Sequence, residues 1–235
     1  MPSDHAFPEV CWGEGVGKDA RIGVIVGMKS EAALLPDGVA WGCAGAVPAK
    51  AEALARSLIE QGAHALISIG IAGGLDPALN PGDMVVGSGV QVDGGVVETD
   101  SVWKCRLLSA IPFSRSGLVH GSDTAVGGVR GKRDLFAQGA MIVDMESGAV
   151  ARVAAKAGVP LAVLRAVADP AGRALPISAM AGLDAEGNPR IAAVLAGLAR
   201  RPWELPGLIR VGLDSQAALS ALRDALKIIG PTFGT

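Results

Sequence analysis

The feature that most constrains the fold is a glycine-rich stretch, residues 70–74, that directly follows an apolar run over residues 65–69. The apolar run is short and rich in Ile and Leu, which is typical of a buried strand. Three glycines in five residues permit a turn, or the close approach of another group, because no Cβ stands in the way. Open α/β sheets bind ligands at such turns, so the stretch predicts a ligand site. A tight turn without a ligand is the alternative that the stretch alone leaves open.

Length and composition indicate one globular domain and exclude several classes of protein. The 235 residues can bury a sizeable core, and half of them are hydrophobic while 19% are charged. A net charge of −2 gives no reason to expect nucleic-acid binding. The apolar runs are too short to cross a bilayer and no leader segment is recognisable, which predicts a cytoplasmic enzyme. Three widely spaced cysteines favour a reducing compartment and offer no spacing for a metal.

Strands alternate with helices along the chain. Apolar runs predict strands over residues 21–27, 39–43, 65–71, 84–90, 94–98, 118–119, 141–143 and 160–167. Helical periodicity and end signals predict helices over residues 28–35, 48–61 and 101–110, and a fourth over residues 149–157 that ends at Gly158. Three more helices are predicted over 190–201, 203–213 and 215–229. This alternation predicts a single-domain, three-layer α/β/α fold with a central mixed sheet over residues 21–235.

Two segments stand apart from this alternation. Residues 1–20 are polar and rich in glycine, which predicts a flexible N-terminal extension. Residues 171–188 are predicted to form a loop-rich segment that covers a site. The domain ends in a helical tail, residues 190–229.

Four carboxylates follow predicted strands directly: Glu31, Asp76, Glu146 and Asp169. The carboxyl ends of strands face a common crevice, so we expect these acids to share one site. Asp169 follows an apolar run, and such surroundings raise the pKa of a carboxyl so that it can act as a general acid. Each acid taken singly also fits a structural role: as a residue of a turn, as a helix cap, or as an acid in the first turn of a helix. Their joint placement favours a catalytic site.

Three blocks of sequence resemble the nucleoside phosphorylase/nucleosidase superfamily, in the order found in methylthioadenosine/S-adenosylhomocysteine nucleosidases: RIGVIVGMKSEAALL, GIAGGLDPALNPGDMVV and VDMESGAVARVAAKAGVPLAVLRAVADPAG. The C-terminal segments RALPISAM and ARRPWELPGLIRVGLDSQAALSALRDALKIIG resemble the hopanoid-associated phosphorylases, which are thought to remove adenine from adenosylhopane. The resemblance implies a purine nucleoside phosphorylase fold, a homo-oligomer, release of adenine from adenosylhopane, and neither a metal nor an organic cofactor.

The resemblance also implies a role for each acid. Asp169 corresponds to the acid that protonates N7 of the leaving purine, Glu146 to the carboxylate that accepts hydrogen bonds from the ribose hydroxyls, and Glu31 to the acid that activates water. The other implied binding residues are Met145 beneath the sugar, Gly70, Ile71, Ala72 and Gly73 beside C1′ and the nucleophile, and Val126 at the adenine edge. His120 is a further candidate for substrate binding, with a solvated loop histidine as the alternative.

Several positions depart from the family pattern. Ala125 stands where nucleosidases have a phenylalanine, which implies a wider base pocket with less stacking, and Ile71 stands where a hydroxyl is usual. Glu31 and Ser68 occupy positions where bacterial purine phosphorylases carry phosphate-binding arginines. These residues favour hydrolysis, because phosphate beside Glu31 would be poorly compensated. The hopanoid-associated resemblance favours phosphorolysis, and then phosphate is a co-substrate.

Other cations could still create a site for that phosphate. Lys29, Arg130 and Arg173 are the candidates that the sequence offers. Both nucleophiles therefore remain open at the level of sequence.

Apolar residues recur at helical spacing in the C-terminal tail, between arginines. The simpler interpretation is a set of helices packed on the sheet. The more specific hypothesis is an apolar entrance for a hopane-sized 5′ substituent that also touches the inner face of the membrane.

Two other functions remain open for the whole chain: a soluble methylthioadenosine/S-adenosylhomocysteine-type nucleosidase, and an inactive nucleoside-binding scaffold protein.

Overall fold

The computed structural model describes residues 11–12, 22–180, 187–188 and 191–235. The predicted flexible extension, residues 1–20, lies outside the described residues apart from 11–12. So do six residues of the predicted covering segment, residues 181–186.

Nine strands and eight α-helices make up the described chain. The strands are β1 (Cys11–Trp12), β2 (Ile22–Val26), β3 (Ala40–Cys43), β4 (Ala65–Gly74), β5 (Met84–Val92), β6 (Gly95–Glu98), β7 (Arg115–Gly121), β8 (Ala140–Asp144) and β9 (Leu161–Asp169). The helices are α1 (Lys29–Ala32), α2 (Pro48–Glu60), α3 (Ser101–Ala110), α4 (Val129–Ala137), α5 (Ser147–Ala157), α6 (Ile177–Met180), α7 (Ile191–Arg200) and α8 (Leu205–Ile229). Short 3-10 turns flank α8 at Pro202–Glu204 and Gly230–Thr232.

The strands form one mixed sheet in the order β1-β3-β2-β4-β8-β7-β5-β6, with β9 paired to both β4 and β5. Strands β4, β8, β7, β5 and β9 therefore close into a ring. The first half of β4 lies between β2 and β9, and β2 pairs with it as far as Ser68. On the same side, β8 pairs with β4 from Gly73 onward. The sheet thus divides beside residues 69–72 of β4, where neither β2 nor β8 pairs with that edge of the strand.

Helices cover both faces of this sheet, which confirms the predicted three-layer α/β/α fold. On one face, α2 and α5 pack with Leu54, Leu58, Val150 and Val153 in the core. On the other face, α3 and α8 contribute Trp103, Leu107, Leu222 and Leu226. Local signals set the helix ends: Pro48 stands in the first turn of α2, and Gly158 takes a left-handed φ of 67° after α5.

Three details of the sequence prediction are wrong. The glycine-rich stretch is not a turn, because β4 continues through it to Gly74 while pairing with β8 and β9. The predicted helices over 203–213 and 215–229 form one 25-residue helix, α8. Helix α4 was not predicted at all. Across the described residues, no helix is both long and apolar enough to cross a membrane.

Candidate active site

A cavity of about 280 Å³ opens where β4, β8 and β9 end, beside α1. Its lining includes Glu31, Glu146 and Asp169, three of the four acids that the sequence placed after strands. Asp76, the fourth acid, lies outside this lining and accepts a hydrogen bond from the Ala78 N–H in a turn. The structure therefore brings three predicted carboxylates together.

Glu31 lies where the sheet divides, in the single turn of α1, and its side chain is 2% exposed. Its Oε2 accepts hydrogen bonds from the N–H groups of Gly27 and Met28, and its Oε1 accepts one from Ile71 in β4, all at 2.8 Å. Burial raises the pKa of Glu31, while the Arg165 cation and these N–H groups lower it. The balance is a raised pKa, which favours proton acceptance by Glu31.

Glu146 follows β8 and is 5% exposed. Its Oε2 lies 3.5 Å from Nη2 of the fully buried Arg165. The Nε of Arg165 donates to Asp144 Oδ2 at 2.6 Å, and its Nη2 donates to Ser68 at 2.7 Å. Burial raises the pKa of Glu146 to about 8, with Arg165 opposing the rise and the neighbouring Asp144 and Glu31 adding to it.

Two positions require glycine, because the charged side chains of the site approach the backbone there too closely for a Cβ. A Cβ at Gly70 would lie 2.7 Å from Glu31 Oε1 and would also overlap Nη1 of Arg165. A Cβ at Gly27 would lie 2.6 Å from Glu146 Oε1. The glycine-rich part of β4 is therefore a strand whose bare backbone makes room for a buried charge cluster.

Asp169 ends β9 and contributes the third carboxylate. Its Oδ2 accepts a hydrogen bond of 2.5 Å from the Nζ of Lys132, a fully buried residue of α4. Burial raises the pKa of Asp169, and Lys132 and Arg173 counteract that rise. A raised pKa is what a general acid needs to hold a proton near neutral pH.

Most of the other predicted binding residues line the same cavity: Met145, Ile71, Ala72, Gly73 and Val126, together with Ala125. Gly70 lies behind the cavity wall, against Glu31 and Arg165. His120 lies elsewhere, in a separate cavity of about 450 Å³ beside Arg152. The structure therefore does not bring His120 to the carboxylates.

None of the candidate phosphate-binding cations lines the cavity that holds the acids. Lys29 and Arg130 are exposed. Arg173 pairs with Asp214 of α8, with 2.7 Å between Nη1 and Oδ2, and lines a neighbouring cavity of about 150 Å³.

Three residues at the site were missed by the sequence analysis: Arg165, Asp144 and Lys132. Arg165 did carry a signal, since a lone arginine within the apolar strand β9 must find buried anions. Asp144 orients the turn into α5 by accepting from the N–H groups of Glu146 and Ser147. Lys132 carried no signal, because a lysine in a polar helix is ordinarily exposed.

Comparisons with known proteins agree with this fold. An S-adenosylhomocysteine nucleosidase from Streptococcus pyogenes, solved with 5-methylthiotubericidin, is 18% identical with a TM-score of 0.64, covering 92% of this chain and 100% of that one. A 5′-methylthioadenosine/S-adenosylhomocysteine nucleosidase from S. pneumoniae, solved with a transition-state inhibitor, is 17% identical with a TM-score of 0.62, covering 89% and 99%. Futalosine hydrolase from Helicobacter pylori is 20% identical with a TM-score of 0.57, covering 64% and 88%.

At the level of sequence, none of the curated proteins matches the chain significantly. The profile of the phosphorylase superfamily does match, over residues 37–200. That range is more than half of the chain and contains Glu146, Arg165 and Asp169. The chain belongs to the phosphorylase superfamily.

Proposed function

We propose that this enzyme cleaves the N-glycosidic bond of an adenine nucleoside, releases adenine, and takes adenosylhopane as its substrate. The observation that carries the proposal is the convergence of Glu31, Glu146 and Asp169 on one cavity. Each acid suits a different part of such a nucleoside. The base needs a proton, the ribose diol needs a paired acceptor, and the nucleophile needs a base.

The chemistry divides among the acids as follows. The bond from C1′ to N9 breaks with its electron pair going to the purine, and Asp169 donates a proton to N7 of that purine. Glu146 accepts hydrogen bonds from the two ribose hydroxyls, which favour its ionised form over the protonated form that it holds without substrate, and fixes the sugar over Met145. Glu31 takes a proton from the attacking water, whose oxygen bonds to C1′. Its three backbone hydrogen bonds hold it in place for this step.

The charges around the cavity support water as the nucleophile. No lysine, arginine or histidine is among its described lining residues. Arg165 lies behind the wall, and its charge is already shared among Asp144, Glu146 and Glu31. A phosphate dianion beside Glu31 would be buried without a free cation, at a cost of several kcal/mol. Hydrolysis is therefore the reaction that we propose.

A bulky apolar 5′ substituent is supported by the outer wall of the cavity. Leu175, Ala179 and Val211 line it, and none of its described lining residues is aromatic. Val211 belongs to α8, and the exposed side chains Ile209 and Leu213 lie on the other side of the same helix. A lipid that leaves the cavity and passes over α8 would therefore meet apolar side chains.

We also propose that this surface binds an anionic membrane. Leu205, Ile209 and Leu213 recur every four residues on α8 and are 47%, 56% and 61% exposed, next to Trp203 at 73%. The exposed cations Arg200 and Arg210 lie in the same part of the chain. Each such cation contributes about 1 kcal/mol near an anionic surface. Apolar side chains beside arginines are typical of an interfacial helix.

One experiment tests the reaction. The enzyme is incubated with adenosine, 5′-methylthioadenosine and adenosylhopane, each with and without phosphate, and adenine and the sugar product are identified. We expect adenine and free ribose products independent of phosphate, fastest from adenosylhopane, and none from an Asp169→Asn variant. A ribose 1-phosphate product formed only with phosphate would refute hydrolysis. Methylthioadenosine as the fastest substrate would indicate a soluble nucleosidase, and no adenine at all would indicate a scaffold protein.

A second experiment tests the membrane surface by sedimentation with phosphatidylglycerol vesicles. Ile209→Glu with Leu213→Glu is expected to lower vesicle binding by an order of magnitude or more, because two apolar contacts become anionic. Phe113→Glu is the matched control, since Phe113 is 94% exposed but lies outside this surface. Equal binding of the double variant and the wild type would refute the membrane proposal and leave adenine release unaffected.

A further inference from the structure

Helix α4 buries a lysine and no other described side chain. Lys132 is 0% exposed, while its neighbours Arg130, Arg133 and Asp134 on the same helix are exposed. Three acceptors surround its Nζ: Asp169 Oδ2 at 2.5 Å, and the backbone carbonyls of Pro170 and Arg173, both at 3.0 Å. All three ammonium protons are therefore directed at the acid or at the segment that follows it.

Stability alone is a weak reason for this arrangement. A buried ion pair often contributes no more than a well-packed apolar pair, because both charges lose their hydration. The segment after Asp169 also has a hydrogen bond that does not involve the lysine, since the Leu175 N–H donates to the carbonyl of Gly127, just before α4, at 2.9 Å. The main contribution of Lys132 is therefore its positive charge next to Asp169, and its attachment of the following segment is secondary.

The charge matters because of what the acid has to do. At 2.5 Å the Lys132 ammonium donates to the Asp169 carboxylate in a charge-assisted hydrogen bond, and the pKa of Asp169, raised by burial, makes that carboxylate a ready acceptor of the proton. The other charges that face Asp169 are Arg173 and Asp214, which pair with each other. The proton available to a leaving purine is therefore the one on Lys132.

We propose that Lys132 supplies the proton that Asp169 delivers to the leaving base. This inference rests on the proposed function. As the bond from C1′ to N9 breaks, N7 takes a proton from the Asp169 carboxyl and Asp169 takes one from Lys132 Nζ. Lys132 is left as a neutral amine beside the Asp169 carboxylate, the purine leaves as a neutral base, and solvent later returns a proton to the amine. Burial assists the first transfer, from Lys132 to Asp169, since it raises the pKa of Asp169 and so makes its carboxylate a better proton acceptor.

A Lys132→Met variant tests the relay, because methionine keeps the length of the side chain and removes the proton. The rate of adenine release from adenosine is expected to fall about 10²-fold at pH 8, as for loss of a general acid. The alkaline limb of kcat/KM is expected to move to lower pH, because Asp169 must then hold the proton itself. With 4-nitrophenyl β-D-ribofuranoside, whose leaving group is stable as an anion, the loss should be much smaller.

Arg133→Met is the matched control, since it removes a cation from the exposed side of the same helix. It should leave the pH profile and the ratio of the two substrates unchanged. If Lys132→Met slows both substrates equally and keeps the pH profile of the wild type, the lysine is structural and the proposal is refuted.

A measurement on the wild type covers the case in which Lys132→Met does not fold. In mixtures of light and heavy water, the rate of adenine release is plotted against the fraction of deuterium (a proton inventory). The plot should be curved, since two protons move in the same step. A linear inventory would refute the relay while leaving the proposed reaction standing. Absence of adenine release by the wild type would refute the proposed function instead.

Discussion

Replacing Glu146 by Gln is expected to change how the free energy of unfolding depends on pH. In the folded state the pKa of Glu146 is raised to about 8, from a usual value of 4.5. Between these two values the folded chain keeps the proton and the unfolded chain loses it. Stability therefore falls as pH rises across this window, by about 1.4 kcal/mol per pH unit for one proton. Over the whole window the loss is on the order of 5 kcal/mol.

Glutamine has the shape of the protonated acid and cannot ionise, so the variant lacks this loss. Near pH 4.5 the two proteins should be similarly stable, and near pH 9 the variant should be the more stable by several kcal/mol. Urea unfolding at pH 5, 7 and 9 measures the difference, and other titrating groups largely cancel in it. Glu98→Gln, at an exposed position in β6, is the control. A difference between wild type and Glu146→Gln that is constant with pH would refute the reasoning.

Two further predictions concern the charge cluster. Gly70→Ala should cost about 1–3 kcal/mol of stability and most of the activity, because its Cβ meets Glu31 and Arg165. Gly172→Ala, where a Cβ meets nothing within 4 Å, is the control and should be neutral in thermal melting. Arg165→Met should cost about 3–5 kcal/mol, because Asp144 and Glu146 lose their buried cation, and an unchanged melting temperature would contradict the assigned pairing.

The strands and the three acids were predictable because their signals are local. Each buried strand is a short apolar run, and a carboxylate directly after such a run needs no knowledge of the fold to be noticed. The edge of the sheet that holds the candidate site then follows from topology, since the strands of an α/β protein end at one crevice. Three of the four acids, Glu31, Glu146 and Asp169, line one cavity, and Asp76 does not.

What failed depends on partners that are distant in sequence. The glycine stretch was interpreted as a turn because the chain does not reveal that β8 and β9 extend the pairing of β4. Helix α4 was missed because the residue it buries is Lys132, whose partner Asp169 lies 37 positions away. The break predicted between residues 213 and 215 does not occur, and α8 continues because its second half is anchored in the core.

The charge balance of the site is itself an argument about the reaction. Asp144, Glu146 and Glu31 surround one buried cation, Arg165, so the cluster has more acids than it can neutralise. Burial is the main cause of the raised pKa of Glu146, and the surplus of acids adds to it. The same surplus favours any positive charge that develops nearby. When the bond to the base breaks, positive charge develops at C1′ of the sugar. A preorganised anionic surface stabilises that charge more in the transition state than in the neutral substrate, and the same surface repels a phosphate dianion. One electrostatic feature thus favours both bond cleavage and water as the nucleophile.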